Sequence, residues 1–268
     1  MRIRIGNQTS FSSADVLRPF EYALASGFDA FEWFPDRKND GTGWAEADIS
    51  SETRQFIRDT AAKNDISLSV HASLPTNPLD PEAAGRFTET IEFAKDIGAS
   101  LFNIHLHMDQ GIAAYVEALV PLMQDLSKAG IRLSIENTVE TGPEDFNQLF
   151  RHLHSSCPAD SSHVGMCLDI GHANLCAATR NDYLGFIDRL GGHVPVIHIH
   201  LHENYGDSDS HLPVFSGPSG MDPSGMEGLI SRLKKRAFSG CIIFEQWPQP
   251  QSLLNEARNR LLGMIATP

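Results

Sequence analysis

Histidines and carboxylates in this chain collect at the ends of short apolar segments. Glu136, Asp169 and Glu245 end the strings RLSIE, GMCLD and CIIFE. An ionised carboxylate at such a position is costly to bury without a partner. Several of the 12 histidines occupy the same kind of position, a pattern that core packing does not explain. Imidazole and carboxylate groups together suit zinc, manganese, cobalt or iron, so these residue types predict a divalent metal site.

The candidate metal ligands fall into a stronger and a weaker group. The stronger group is Glu136, Asp169, His200 and Glu245. The weaker group is His71, His105, His172, Asp209 and His211. The neighbouring His107, His198 and His202 are interpreted as partners that orient a true ligand, because metal-binding histidines need such support. The other four histidines (His152, His154, His163 and His193) precede strands or lie on predicted helices, and are interpreted as surface residues.

Eight apolar segments recur about every 30 residues, each followed by a segment with helical spacing, and this alternation is typical of βαβ units. The predicted strands are Ile3 to Asn7, Phe28 to Trp33, Leu68 to Ala72, Leu101 to His107, Ile131 to Glu136, Val164 to Asp169, Val196 to Leu201 and Cys241 to Glu245. Eight units in a chain of 268 residues predict an α/β fold, a single-domain (β/α)8 TIM barrel over residues 1–268. A doubly wound sheet is the alternative.

The barrel prediction brings the candidate ligands together. Alternate residues of a strand share a face, so Asn103, His105 and His107 are expected to point one way, as are the three histidines from His198 to His202. In a closed barrel these ends converge on one cup, where several carboxylates would repel one another unless a cation neutralised them. Long loops at 35–50 and 202–222 follow strands 2 and 7 and are candidate lids over this cup.

Local signals complete the helix predictions. Helices are expected over residues 81–97 and 113–129. Gly98, Gly130 and Gly240 each precede a strand and are predicted to end a helix in the left-handed conformation. Five aromatic residues near strand ends could either stack on a sugar ring or pack in the core. They are Phe11, Trp33, Phe34, Trp44 and Trp247.

Composition restricts the partners. With 34 acidic and 21 basic residues the net charge is −13, which argues against nucleic acid and favours a small-molecule partner. The four cysteines form no CxxC pair, so neither a disulfide framework nor a thiolate zinc site is expected. Because no apolar stretch has the length of a signal peptide or a membrane span, we expect no membrane association and a cytoplasmic protein, which could form a homo-oligomer.

Ordered motifs resemble those of the xylose isomerase-like TIM-barrel superfamily, which includes sugar isomerases and epimerases and the endonuclease IV type of abasic-site nuclease. The matching strings are HASLP at 71–75, NIH at 103–105, IENT at 135–138, CLDIGHANL at 167–175, HLHEN at 200–204, DSHLP at 209–213 and FEQ at 244–246. They cover nearly the whole chain in the same order, and the ordered set is far more specific than any one string.

The resemblance implies two different site arrangements. The epimerase branch implies a single divalent ion on the stronger group, with Glu136 and Glu245 exchanging protons with the substrate and His172 contacting it. The endonuclease IV branch implies three zinc ions on nine ligands, each of which has a counterpart here. Those counterparts are His71, His105, Glu136, Asp169, His172, His200, Asp209, His211 and Glu245. The ligand set alone leaves both branches open.

Charge favours the small substrate. Residues 202–222 contain no lysine or arginine, whereas DNA binding requires a basic track. Residues 214–217 also depart from the Leu-Gly-x-Gly that usually follows the Asp-x-His-Leu-Pro string of these relatives. We therefore expect a metal-dependent isomerase or epimerase of a small sugar, ketose or related hydroxy-carbonyl compound, acting by proton transfer through a metal-bound enediolate. The expected cofactor is one to three ions of manganese, zinc or cobalt. An endonuclease IV-like phosphodiesterase with three zinc ions is the main alternative, and a metal-dependent sugar-binding protein is a third.

Overall fold

The barrel of this protein is closed. A computed structural model describes residues 2–9, 15–38 and 40–267, and within these residues eight parallel strands form one ring in sequence order, with the last strand pairing with the first. The strands are β1 (Ile3–Gln8), β2 (Ala30–Trp33), β3 (Ser67–His71), β4 (Leu101–His105), β5 (Arg132–Glu136), β6 (Val164–Asp169), β7 (Val196–Leu201) and β8 (Gly240–Phe244). The predicted (β/α)8 barrel is confirmed, and the doubly wound alternative is wrong because each of these strands has a neighbour on both sides.

Helices surround the barrel. Within the described residues they are α1 (Arg18–Ala25), α2 (Ser51–Lys63), α3 (Ala83–Ile97), α4 (Gly111–Ala129), α5 (Pro143–Ser156), α6 (Ile170–Leu175), α7 (Tyr183–Arg189), α8 (Pro218–Met221), α9 (Ser224–Lys235) and α10 (Ser252–Ala266). The longest, α4, shows why they form: its buried residues Val116, Leu119 and Met123 recur at helical spacing and face the strands. The helices predicted over 81–97 and 113–129 are confirmed to within two residues.

Two of the three predicted helix-ending glycines adopt the left-handed conformation. Gly98 has a φ of 74° and Gly130 a φ of 70°. The prediction for Gly240 is wrong, because Gly240 begins β8 and the left-handed residue is Ala237, with a φ of 52°. A Cβ on Gly240 would lie 2.1 Å from the carbonyl oxygen of Ile197, so this glycine permits close approach of two strands instead.

A register shift between β6 and β7 aims the histidines of β7 inward. Met166 pairs with Val196, but Cys167 pairs with His198, which leaves Ile197 as the extra residue. Gly165 accommodates its side chain, since a Cβ there would lie 2.6 Å from Ile197. Beyond the shift, the inward positions of β7 are His198 and His200.

The aromatic predictions divide between core and cavity. Trp33 and Trp44 are buried and pack edge to face, with ring centroids 5.9 Å apart, so neither is placed to stack on a ligand. Phe34 and Trp247 line the cavity at the carboxyl end of the barrel. Phe11 lies outside the described residues. None of the described helices is long and apolar enough to cross a membrane.

Candidate metal centre

The stronger ligand group converges at the carboxyl end of the barrel. Glu136, Asp169, His200 and Glu245 each offer a ligand atom, and these atoms all lie within 4.8 Å of one another. His200 lies between two of the carboxylates, with Nδ1 3.1 Å from Glu136 Oε2 and 3.2 Å from Glu245 Oε1. All four residues are buried. We call them the central group.

Strands β3 and β4 add two histidines beside Glu136. The Nε2 atom of His71 lies 3.1 Å from Glu136 Oε2, and the Nε2 atom of His105 lies 3.5 Å from Glu136 Oε1. The side-chain amide of Asn103 also donates to Glu136 Oε2, at 2.5 Å, which fixes the carboxylate between strands. Asn103 and His105 therefore share the inward face, as predicted.

A second cluster, which we call the outer group, lies above the central group and consists of His172, Asp209 and His211. Asp169 accepts a hydrogen bond from the backbone N–H of His172 at 2.6 Å and so begins α6. The Nε2 atoms of His172 and His211 both lie 3.3 Å from Asp209 Oδ2. All nine sequence-predicted ligands are thus brought into one cup.

The loop after β7 is anchored by hydrogen bonds between its own residues. Glu203 and Leu212 exchange two backbone hydrogen bonds of 3.0 and 2.8 Å, which folds the loop back over the barrel end. The buried carboxylate of Glu203 then accepts from the backbone N–H groups of Phe215 and Ser219. His211 and Phe215 take positive φ angles of 44° and 67° inside this fold. The segment that departs from the usual Leu-Gly-x-Gly is therefore an ordered turn anchored on Glu203.

The hydrogen bonds of three histidines test whether a cation fits. In each ring Nδ1 lies against a backbone carbonyl: His71 against Ala72 at 2.5 Å, His172 against Asn137 at 2.8 Å and His211 against Glu245 at 3.0 Å. A carbonyl only accepts, so Nδ1 carries the proton and a neutral ring has its lone pair on Nε2.

Each of these Nε2 lone pairs faces a carboxylate, on Glu136 or Asp209. A lone pair against a carboxylate is repulsive, and it becomes favourable only with a second proton on the ring or with a cation between the two groups. Metal-bound histidines have this same arrangement, with the distal N–H donated to a carbonyl. The donor set therefore fits divalent cations, with the central and outer groups as ligands.

The two candidate acid/base residues, Glu136 and Glu245, differ in the direction of their pKa shifts. Burial favours the neutral form of both, but the charges of His200 and His105 hold the pKa of Glu136 well below its ordinary value. For Glu245 burial prevails over His200, and the nearby Asp169 adds to it, so the pKa is raised. Two glutamates at one site thus differ in how readily they take up a proton.

His202 is closer to the centre than the sequence suggested. Its Nε2 atom lies 3.3 Å from Asp169 Oδ2 and 3.7 Å from Asp209 Oδ1, and its ring stacks on His211 with centroids 3.8 Å apart. His202 therefore lies between the central and outer groups, with its ligand atom within 4.8 Å of those of Asp169 and His172 and of those of Asp209 and His211. His107 is half-buried and lines the cavity instead.

Glu32 on β2 is a functional candidate that the sequence reasoning missed. It is fully buried, and its carboxylate contacts both His198 and His200. The signal was present, since FEW places an acidic residue inside an apolar strand just as RLSIE does. Cys167 lies near the same two histidines, but burial raises the pKa of its thiol well above the ordinary value, which disfavours a thiolate ligand.

A cavity of about 810 Å³ opens above the centre. Candidate ligands form its floor, and Phe34, Leu74, Val139 and Trp247 are among the apolar residues of its wall. Lys38 is the only lysine or arginine among the described lining residues. The size suits a small molecule.

Comparison with known proteins places the fold in a family. The profile of the xylose isomerase-like TIM barrel family matches residues 20–262. The chain belongs to this family. A relative from Sinorhizobium fredii, an uncharacterized protein, is 24% identical over 230 residues, which are 72% of this chain and 70% of the relative.

Solved structures share the barrel over nearly its full length. A D-tagatose 3-epimerase-like protein aligns with a TM-score of 0.74 at 19% identity, covering 98% of both chains. Endonuclease IV from Thermus thermophilus aligns with a TM-score of 0.65 at 21% identity, covering 97% of this chain and 99% of that one. At these identities the likeness is one of fold.

Proposed function

We propose that this protein is a divalent-metal-dependent isomerase or epimerase that acts on a small sugar, ketose or related hydroxy-carbonyl compound. The observation that carries the proposal is a set of histidine nitrogens and buried carboxylates whose arrangement fits a divalent cation, at the floor of a cavity of small-molecule size. The epimerase-like protein among the structural neighbours supports the same reaction class.

The position of each residue in the metal centre indicates its role in the proposed reaction. A divalent ion on the central group would polarise a substrate carbonyl and acidify the adjacent C–H group. Glu136 and Glu245 approach His200 from β5 and β8, and in the proposed reaction one removes a proton from carbon and the other returns one. Asn103 keeps the carboxylate of Glu136 in place through its 2.5 Å hydrogen bond. With an ion on the central group alone, His172 remains able to contact the substrate.

Charge argues against duplex DNA as the substrate. The duplex carries one negative charge per about 1.7 Å and is bound through several lysines and arginines. The described cavity lining has Lys38 for that purpose but also Asp36, Glu136, Asp209 and Glu245. A small substrate without a phosphate avoids this repulsion.

The experiment follows carbon-bound hydrogen. Purified protein loaded with manganese is incubated with a panel of ketoses in deuterium oxide, and deuterium incorporation is measured by NMR. We expect exchange with the wild-type protein and a loss of at least about 100-fold in Glu245→Gln, since a positioned acid or base contributes about 10² to 10⁴ to the rate. Glu117→Gln is the matched control, because Glu117 is exposed on α4.

A phosphodiesterase is the second candidate, favoured by one observation: the outer group and the two histidines beside Glu136 complete the nine-ligand arrangement. Cleavage of an abasic-site duplex, with no deuterium exchange on any ketose, would refute the isomerase proposal. Metal analysis of the purified protein adds a second measurement. One ion for each chain supports the isomerase arrangement, and three zinc ions support the nine-ligand one.

A further inference from the structure

Glu32 is a buried carboxylate for which the proposed reaction has no direct use. It lies on β2, beneath the central group, and is 0% exposed. One oxygen, Oε2, accepts from Ser69 Oγ at 2.8 Å and from His198 Nε2 at 2.9 Å. The other, Oε1, lies 2.8 Å from His200 Nε2. In the described chain the ion pairs of Glu32 are with these two histidines.

The contact with Glu32 favours a proton on Nε2 of His200. A carboxylate oxygen and a ring nitrogen 2.8 Å apart repel each other unless one of them carries a proton. A buried carboxylate is stabilised when that proton is on the imidazole. The approach to His200 is bent, because its Nε2 atom meets the distance but not the angle of a hydrogen bond. The interaction between Glu32 and His200 is therefore mainly electrostatic and not a directional hydrogen bond.

His200 is consequently oriented in the opposite way to the other histidine ligands. His71, His172 and His211 give their Nδ1 proton to a backbone carbonyl and present Nε2. His200 has Nε2 beside Glu32 and turns Nδ1 to Glu136 and Glu245, so an ion held by these two carboxylates would take the lone pair of Nδ1 and leave the proton on Nε2.

We propose that Glu32 is the positioning residue of the metal centre, which holds His200 as the Nε2–H tautomer and so makes Nδ1 a ligand for the ion. This inference rests on the metal centre of the proposed function but not on its substrate. Residues in such supporting positions typically change metal affinity about 10- to 100-fold when they are replaced. Glu32→Gln keeps the size of the side chain and removes its charge.

The first measurement uses the wild-type protein. Two-bond ¹H–¹⁵N correlation spectra of histidine-labelled, zinc-loaded protein report which ring nitrogen of each histidine keeps its proton, and comparison with His200→Gln identifies the His200 signal. We expect His200 to keep its proton on Nε2 and to bind zinc through Nδ1. A proton on Nδ1, or zinc binding through Nε2, would overturn the proposal even if no variant of Glu32 folds.

The second measurement is zinc affinity by competition with a chromophoric chelator. We expect Glu32→Gln to bind zinc about 10- to 100-fold more weakly. Ser69→Ala is the matched control, because it removes a neutral hydrogen bond to Glu32 and leaves its charge and the His200 contact. We expect its affinity to change less than about threefold, since a neutral hydrogen bond contributes little net free energy. Equal affinity in wild type and Glu32→Gln would refute the positioning role. If zinc binding depends on Glu32 but no ketose exchanges deuterium, the proposed reaction fails and the positioning role stands.

Discussion

Replacing Gly171 by alanine tests the position of His202 directly. Gly171 is the second residue of α6, and a Cβ added there would lie 1.9 Å from Cε1 and 2.4 Å from Nε2 of the His202 ring. An ordinary contact begins near 3.4 Å, so the ring must move by about 1.5 Å. His202 is 1% exposed and stacks on His211, so that movement disturbs the outer group as well. Overpacking of this kind costs about 1–3 kcal/mol of unfolding free energy.

Urea denaturation of the metal-free protein measures this cost, and Gly85→Ala is the matched control. Gly85 is an exposed residue of α3, and a Cβ there would have no atom within 4 Å. That variant should gain about 0.5–1 kcal/mol, because alanine is the better helix former. We also expect Gly171→Ala to bind fewer or weaker zinc ions, since His202 and His211 are displaced. A Gly171→Ala variant as stable as Gly85→Ala, with unchanged zinc binding, would refute the packing of His202 against α6.

Two further predictions concern the effects of pH and of metal binding on stability. In the metal-free protein burial lowers the pKa of His211, but Asp209 and Glu245 outweigh it and raise that pKa to about 9. Because this pKa is above the unfolded value, the stabilisation is complete below about pH 6.5 and is lost as the pH rises through 9, so urea midpoints should fall over that range in wild type and less in His211→Gln. Saturating zinc or manganese at about 100 times Kd should stabilise the fold by about 2.7 kcal/mol and raise Tm by roughly 5–10 °C. A differential scanning fluorimetry trace that does not shift, or that shifts equally in Glu136→Gln, would contradict the central group as the binding site.

The strand pattern determined the barrel because alternation is a local property. Each apolar segment is short, each is followed by helical spacing, and eight such units have one closed arrangement of ordinary size. The ends of the strands were therefore predictable, and with them the carboxylates of Glu136 and Asp169. Gly240 shows where prediction from the sequence fails. A glycine before a strand is found both at helix ends and where two strands approach closely, and only the position of the neighbouring strand distinguishes the two.

Contacts between distant strands were not predictable from one segment at a time. Glu32 and His198 are 166 residues apart, and the hydrogen bond between them exists only because the ring closes at a particular register. His202 follows β7 like several other polar residues, and its place beside Asp169 depends on the shift at Cys167 and on the space left by Gly171. Trp33 and Trp44 were ambiguous for the same reason, since an aromatic residue near a strand end faces core or cavity according to its neighbours.

The sequence by itself determined which residue types gather at the carboxyl ends of the strands, and so the divalent-metal chemistry expected there. The tertiary structure decided which nitrogen of each histidine faces the carboxylates, because that depends on which carbonyl or carboxylate holds the opposite nitrogen. His71 takes its orientation from the backbone carbonyl of Ala72, whereas His200 takes its own from Glu32 across the barrel. The residue type shows which side chains can be metal ligands. The direction of a histidine lone pair depends on the partner of the opposite ring nitrogen, and that partner is in place only in the folded protein.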